Sequence, residues 1–169
     1  DSMSDILIIA GEASGDTLGA GLVNEFNKIK PGYNFFGFGG DKMTRAGVKL
    51  IYHIKDLAIF GFWEVIKNIR FIKKVERDLL AEVDRRKPSL AILIDYPGFN
   101  LRLAEKAKKL GLKVVYYVCP QVWAWRSGRV KLIRRLVRKM IVIFPFEQKF
   151  YRQHGVDVEF VGHPLIETV

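Results

Sequence analysis

The sequence predicts a doubly wound α/β fold: a mainly parallel, Rossmann-like sheet with helices on both faces. Short, unbroken apolar runs such as 6–10 and 90–94 read as strands buried on both sides, because a half-exposed strand would alternate. Helical periodicity follows most of these runs, and strand–helix–strand succession implies right-handed crossovers and parallel pairing. The segments after the strands are rich in Gly, Pro, Trp and polar residues. A doubly wound sheet works from the carboxyl ends of its strands, so the functional site is expected in those segments.

The elements follow in order. Residues 6–10 form the first strand, and a helix over 16–28 places Leu18, Leu22, Val23 and Phe26 on one side. Pro31-Gly32 turns the chain into a second strand, 34–38, which ends in Gly39-Gly40. A short helix over 42–46 leads to a third strand, 48–52. Helical periodicity then runs from 61 to 86, with room for a break near its middle. The fourth strand, 89–95, is followed by a helix over 101–110 that stops at Gly111, a left-handed terminator. A fifth strand (113–118), a basic helix (126–137), a sixth strand (139–144), a short helix (146–154) and a last strand (158–161) complete the chain.

Composition narrows the function classes. The single cysteine, Cys119, excludes an internal disulfide framework and suits a reducing compartment. No secretory signal is evident, and no stretch approaches the roughly 20 apolar residues of a membrane span. The net charge of +10 draws anions, whether nucleic acid, acidic lipid or a phosphorylated substrate, and fits a merely solvated basic surface as well. The histidines, His53, His154 and His163, lack metal-ligand spacing, so no metal and no cofactor are expected.

The first loop, Gly11 to Asp16, has glycines spaced by four and not the G-x-G-x-x-G of a dinucleotide turn, which disfavours a nicotinamide-dependent oxidoreductase. Glu12 there is suited to accept hydrogen bonds from sugar hydroxyls, and Asp16 fits equally a cap of its own helix and a functional acid. Asp95 ends an apolar strand before Tyr96-Pro97-Gly98-Phe99-Asn100, where Pro97 and Gly98 are expected to make a turn that projects its carboxylate. It is a candidate general base for a substrate hydroxyl; capping the helix that Asn100 starts, or pairing with an arginine, is the alternative. Asn100 itself offers both donor and acceptor groups. Between Pro120 and Arg126, Trp123 and Trp125 suit stacking on sugar rings or lining an acyl channel, with Gln121 and Arg126 for hydroxyls or phosphate; a domain-interface plug is the alternative.

On the 61–86 helix, Phe62, Val65, Ile69, Ile72, Leu79, Leu80 and Val83 make the expected core stripe. Trp63 and Phe71 fall off it, beside Lys67, Arg70 and Lys74. Aromatics among cations on an exposed face suit an anionic membrane surface; a protein partner, or cover by the Phe60 loop, is the other reading. The basic 126–137 helix carries no nucleic-acid module, and no nucleic acid is expected as partner.

With these segments in hand, the chain resembles the lipid-A-disaccharide synthases. The likeness rests on Gly11-Glu12-Ala13-Ser14-Gly15-Asp16; Gly37-Phe38-Gly39-Gly40 with Met43; Gly61 with Glu64-Val65; and Ile94 through Asn100. It continues with Tyr117 through Arg126, Pro145-Phe146-Glu147, and Val161-Gly162-His163-Pro164-Leu165. Cys119 stands where the family more usually shows serine. The resemblance implies the first domain of a two-domain GT-B glycosyltransferase. It implies transfer of 2,3-diacylglucosamine from UDP-2,3-diacylglucosamine to 2,3-diacylglucosamine 1-phosphate, inverting and without a metal, in lipid A biosynthesis. By that likeness Asp95 is the base for the acceptor's 6-hydroxyl, with Glu12, Ser14, Asn100, Gln121 and Arg126 as acceptor contacts. It also implies a place on the inner face of the bacterial cytoplasmic membrane. Residues 1–2 then read as a cloning remnant, 3–164 as the acceptor-side domain, and 165–169 as the start of a linker to a donor-nucleotide domain, without which the chain is expected to be inactive. The competing class is a non-catalytic basic domain that docks on anionic lipid or nucleic acid.

Overall fold

The computed structural model describes residues 4–58, 69–94, 97–118, 139–142, 152–153 and 158–160. The chain divides into two units, Asp1–Ser89 and Leu90–Val169.

In the first unit, β1 (Asp5–Ala10) is followed by α1 (Ala13–Ile29), β2 (Asn34–Gly39), α2 (Asp41–Arg45), β3 (Lys49–His53), α3 (Ile54–Ala58) and α4 (Ile69–Arg86). The strands lie in the order β3-β2-β1, all parallel. Ile6 to Ala10 are buried without alternation, so both faces of β1 are covered, as the apolar run requires. Phe35, Phe36 and Phe38 extend the same core on β2. Gly37, at φ +151°, sits opposite Ile8, and any Cβ there would run into the Ile8 carbonyl oxygen. The strand spacing at that point admits only glycine.

The helix α4 buries Val75, Glu76, Leu79 and Val83. Its flank is held by Tyr52 on β3, whose hydroxyl donates to Asp78 Oδ2 at 2.5 Å and whose ring meets Phe71 edge-on at 6.2 Å. Burial, then the bond to Asp78, pushes the Tyr52 hydroxyl up to about 12. At the far end Arg86 lies over the Phe36 ring at 4.8 Å and reaches Asp5 at 3.5 Å and Glu82 at 2.9 Å. Hydrogen bonds from Arg85 and Arg86 hold the Glu82 carboxyl down to about 2.

In the second unit, β4 (Leu90–Ile94), α5 (Pro97–Lys109), β5 (Val114–Val118), β6 (Lys139–Val142) and β7 (Val158–Phe160) give the parallel order β4-β5-β6-β7. Helix α5 closes as the sequence predicts. Gly111 takes φ +79°, Gly111 N–H donates to Lys108 O, and Leu112 N–H donates to Ala107 O, a Schellman closure. Among the described residues, no helix is long and apolar enough to cross a membrane.

The parallel α/β reading is borne out, and the differences are local. Helix α1 begins at Ala13, three residues before the position expected, so Asp16 is inside the helix and is not its cap. Helix α5 begins at Pro97, so Pro97 and Gly98 open a helix instead of making a free turn; proline is well suited to a first helical position because its missing N–H has no partner there. The five-residue α3 was not anticipated, being too short to show a period. Ile69, assigned to the core stripe, is 55% exposed. The apolar period that selected it ran through 62 and 65, while the buried face is set farther along, by Val75, Leu79 and Val83. The expected helix over 126–137, the 61–68 part of the long helix, and all of the 146–154 helix except 152–153, which are helical, lie outside the described residues.

Candidate functional site

In the first unit the carboxyl ends of β1, β2 and β3 lead directly into α1, α2 and α3. Glu12 is extended (φ −139°, ψ 165°) at the head of α1, and its side chain makes no capping hydrogen bond. Glu12, Ala13 and Ser14 are exposed. A solvent-facing carboxylate and hydroxyl therefore stand on one turn at the end of β1. An exposed acid and hydroxyl in that position are suited to bind the hydroxyls of a sugar.

The loop after β2 is joined to that turn by Asp16. This carboxylate is 6% exposed, and its Oδ1 accepts from the backbone N–H of Gly40 (2.8 Å) and Met43 (3.0 Å), its Oδ2 from Lys42 N–H (3.2 Å). Asp16 thus caps α2, a helix that its own N-cap, Gly40, cannot cap. Lys42 Nζ donates to Thr17 Oγ1 at 3.0 Å, a second tie between the same two helices. From β3, His53 Nε2 meets Asp41 Oδ1 at 2.9 Å. His53 Nδ1 accepts the Lys55 N–H at 3.0 Å, which places the ring proton on Nε2, facing Asp41, in the neutral tautomer. The hydrogen bond from His53, then Lys55, lowers the Asp41 carboxyl below its ordinary value.

In the second unit Asn100 occupies the first turn of α5 and is fully buried, at 0% exposure. Its Nδ2 donates to the Ile94 carbonyl at 3.2 Å. The amide therefore grips the last residue of β4, immediately before Asp95, and its burial leaves no surface for direct contact with a ligand in this structure.

Asp95, Gln121 and Arg126 lie outside the described residues, as do Trp63 and Lys67. Of the helix face assigned to a membrane, Arg70 and Lys74 are exposed as expected. Phe71 is not: it is half-buried and turned toward Tyr52. Lys73 and Arg77, which the sequence reading passed over, are exposed beside Arg70 and Lys74. Their spacing of three and four residues was the available signal, since it places all four on one side of a helix. The Asp16–Gly40 link was also missed, and no local pattern could reveal a bond across 24 residues.

The strand order and helical crossovers define a Rossmann-like α/β fold, with its exposed polar groups at strand ends. The same fold occurs in the crystal structure of Medicago truncatula UGT71G1 complexed with UDP-glucose, at a TM-score of 0.55 and 10% identity, covering 96% of this chain and 52% of that one. Residues 6–169 match the family model described as lipid-A-disaccharide synthetase, and the chain belongs to that family. It is 51% identical over 98% of its length to the lipid-A-disaccharide synthase of Koribacter versatilis, and 52% identical over 97% of its length to that of Syntrophus aciditrophicus. The chain spans 44% and 43% of those two relatives, less than half of each.

The Asn100 geometry predicts a strut. Asn100→Ala should lower unfolding stability by about 1–3 kcal/mol, the scale for a buried group deprived of its hydrogen-bond partner, here the Ile94 carbonyl. Chemical denaturation of the two proteins measures this, and an unchanged midpoint would contradict the strut.

Proposed function

We propose that this chain is the acceptor-side part of a glycosyltransferase that makes lipid A disaccharide 1-phosphate from UDP-2,3-diacylglucosamine and 2,3-diacylglucosamine 1-phosphate. The observation that carries this reading is the family match over residues 6–169, which takes in every strand-end segment expected to form the site. The exposed Glu12 and Ser14 at the end of β1 support it, because an acceptor sugar needs hydroxyl-binding groups at such a position.

In the reaction proposed, the acceptor's 6-oxygen attacks the donor's anomeric carbon from the face opposite the diphosphate. The carbon–oxygen bond to UDP breaks, UDP departs with the electron pair, and the configuration inverts. Asp95 takes the proton of the attacking hydroxyl, a step that needs no metal. Asn100 positions Asp95 by holding the carbonyl of Ile94. Glu12 and Ser14 bind acceptor hydroxyls, and Gln121 and Arg126 bind hydroxyl or phosphate. The groups that stabilise the departing diphosphate are assigned to the part of the relatives' length that this chain does not span. In this reading 3–164 is the acceptor-side domain and 165–169 begins the linker to that part.

A membrane-surface location on the inner face of the bacterial cytoplasmic membrane accompanies this activity, since both substrates are acylated. Exposed Arg70, Lys73, Lys74 and Arg77 on one side of α4 support it, each such cation contributing about 1 kcal/mol near an anionic bilayer. Trp63 is retained as a membrane contact with Lys67, while the packing of Phe71 on Tyr52 gives that ring a share in stability as well.

The purified chain should show no disaccharide synthesis from the two substrates. In a full-length synthase carrying this segment, Asp95→Asn should lower turnover by about a hundredfold or more, the range for loss of a general base. Near-normal turnover in the folded variant would remove Asp95 from its role. Sedimentation with anionic liposomes checks the surface: changing Arg70, Lys73, Lys74 and Arg77 together to serine should abolish salt-sensitive binding, and retained binding would contradict the assignment.

A further inference from the structure

Asp16 carries more than the start of a short helix. Its carboxylate is buried, both oxygens are engaged, and all three donors are backbone amides at the head of α2, those of Gly40, Lys42 and Met43. Capping α2 alone would need only a serine, threonine, asparagine or aspartate at its own N-cap, the position held by Gly40. That local solution is closed. A Cβ on Gly40 would stand 2.6 Å from Asp16 Oδ2 and 3.0 Å from Ile54 Cδ1, and a Cβ on Gly39 would collide with the Met43 side chain. The space that a side chain at 40 would take is filled by the Asp16 carboxylate.

The tie continues into the turn that bears Glu12 and Ser14. Asp16 N–H donates to Glu12 O at 2.9 Å, so one residue bonds the head of α1 through its backbone and the β2 loop through its side chain. A buried carboxylate that lost these bonds would be left without donors, so the arrangement resists separation of the head of α1 from the head of α2.

We propose that Asp16 is a positioning residue for acceptor binding: it locks the 12–14 turn to the 39–41 loop, so that the two present one rigid surface to the acceptor sugar. This rests on the acceptor-side reading given above.

The test measures binding of a short-acyl 2,3-diacylglucosamine 1-phosphate to this chain, well below the melting temperature of each variant. Asp16→Asn keeps one acceptor oxygen but turns an NH2 toward one of the three amides. It should weaken binding about tenfold, the scale of one lost charge-assisted hydrogen bond. Gly40→Ala should act in the same way by displacing the carboxylate, and the double variant should lose little more than either single one, as groups in one network do. Val23→Ala, in the α1 core, is the control: it should lower the melting temperature and leave the dissociation constant unchanged. Equal weakening by Val23→Ala, or full affinity in Asp16→Asn, would overturn the positioning role while leaving the acceptor reading intact. Absence of binding by the unaltered chain would overturn the acceptor reading and this inference with it.

Discussion

A carboxylate taken out of water must find donors, and at Asp16 the donors are three backbone amides at the head of α2. That requirement orders the strand ends of the first unit. It sets where α1 must begin, since Asp16 has to face inward from its first turn. It requires glycine at 40, because the carboxylate fills the space a side chain would take. On the same turn Glu12 makes no side-chain capping bond and Ser14 is exposed.

A second constraint acts on α4. Val75, Leu79 and Val83 seat it by apolar burial, while Tyr52–Asp78 holds its flank and Arg86–Asp5 its last residue. With the inward face and flanks so committed, the cations Arg70, Lys73, Lys74 and Arg77 are left to solvent. Such a helix can meet an anionic surface without any change in its packing, and the attraction is screened by salt.

The sequence made the parallel α/β order legible because buried strands leave continuous apolar runs, as Ile6 to Ala10 and Leu90 to Ile94 do. The closure of α5 at Gly111 was legible for a similar reason, since a left-handed position selects glycine locally. Starts of helices were less so. Helix α1 begins at Ala13 with no side-chain cap from Glu12, and α5 begins at Pro97, so neither start carries the Ser, Thr, Asp or Asn cap by which a helix start is read from sequence. Ile69 misled for the opposite reason: its hydrophobicity fits the period, but the buried face of α4 does not include it. The exposed position of Glu12 at the end of β1 agrees with its placement on a strand-end loop. Asp16 was noticed, but its partners at 40, 42 and 43 belong to long-range geometry that no spacing encodes.

The central claim is that the acceptor meets this chain at the strand ends, through the turn carrying Glu12 and Ser14. Backbone amide NMR of the isotope-labelled chain during titration with a short-acyl 2,3-diacylglucosamine 1-phosphate tests it most directly. The account predicts shift changes concentrated at residues 11–15 and 39–42, with α4 residues 75–86 unmoved. Shift changes confined to α4, or none at 11–15 under saturating acceptor, would contradict it.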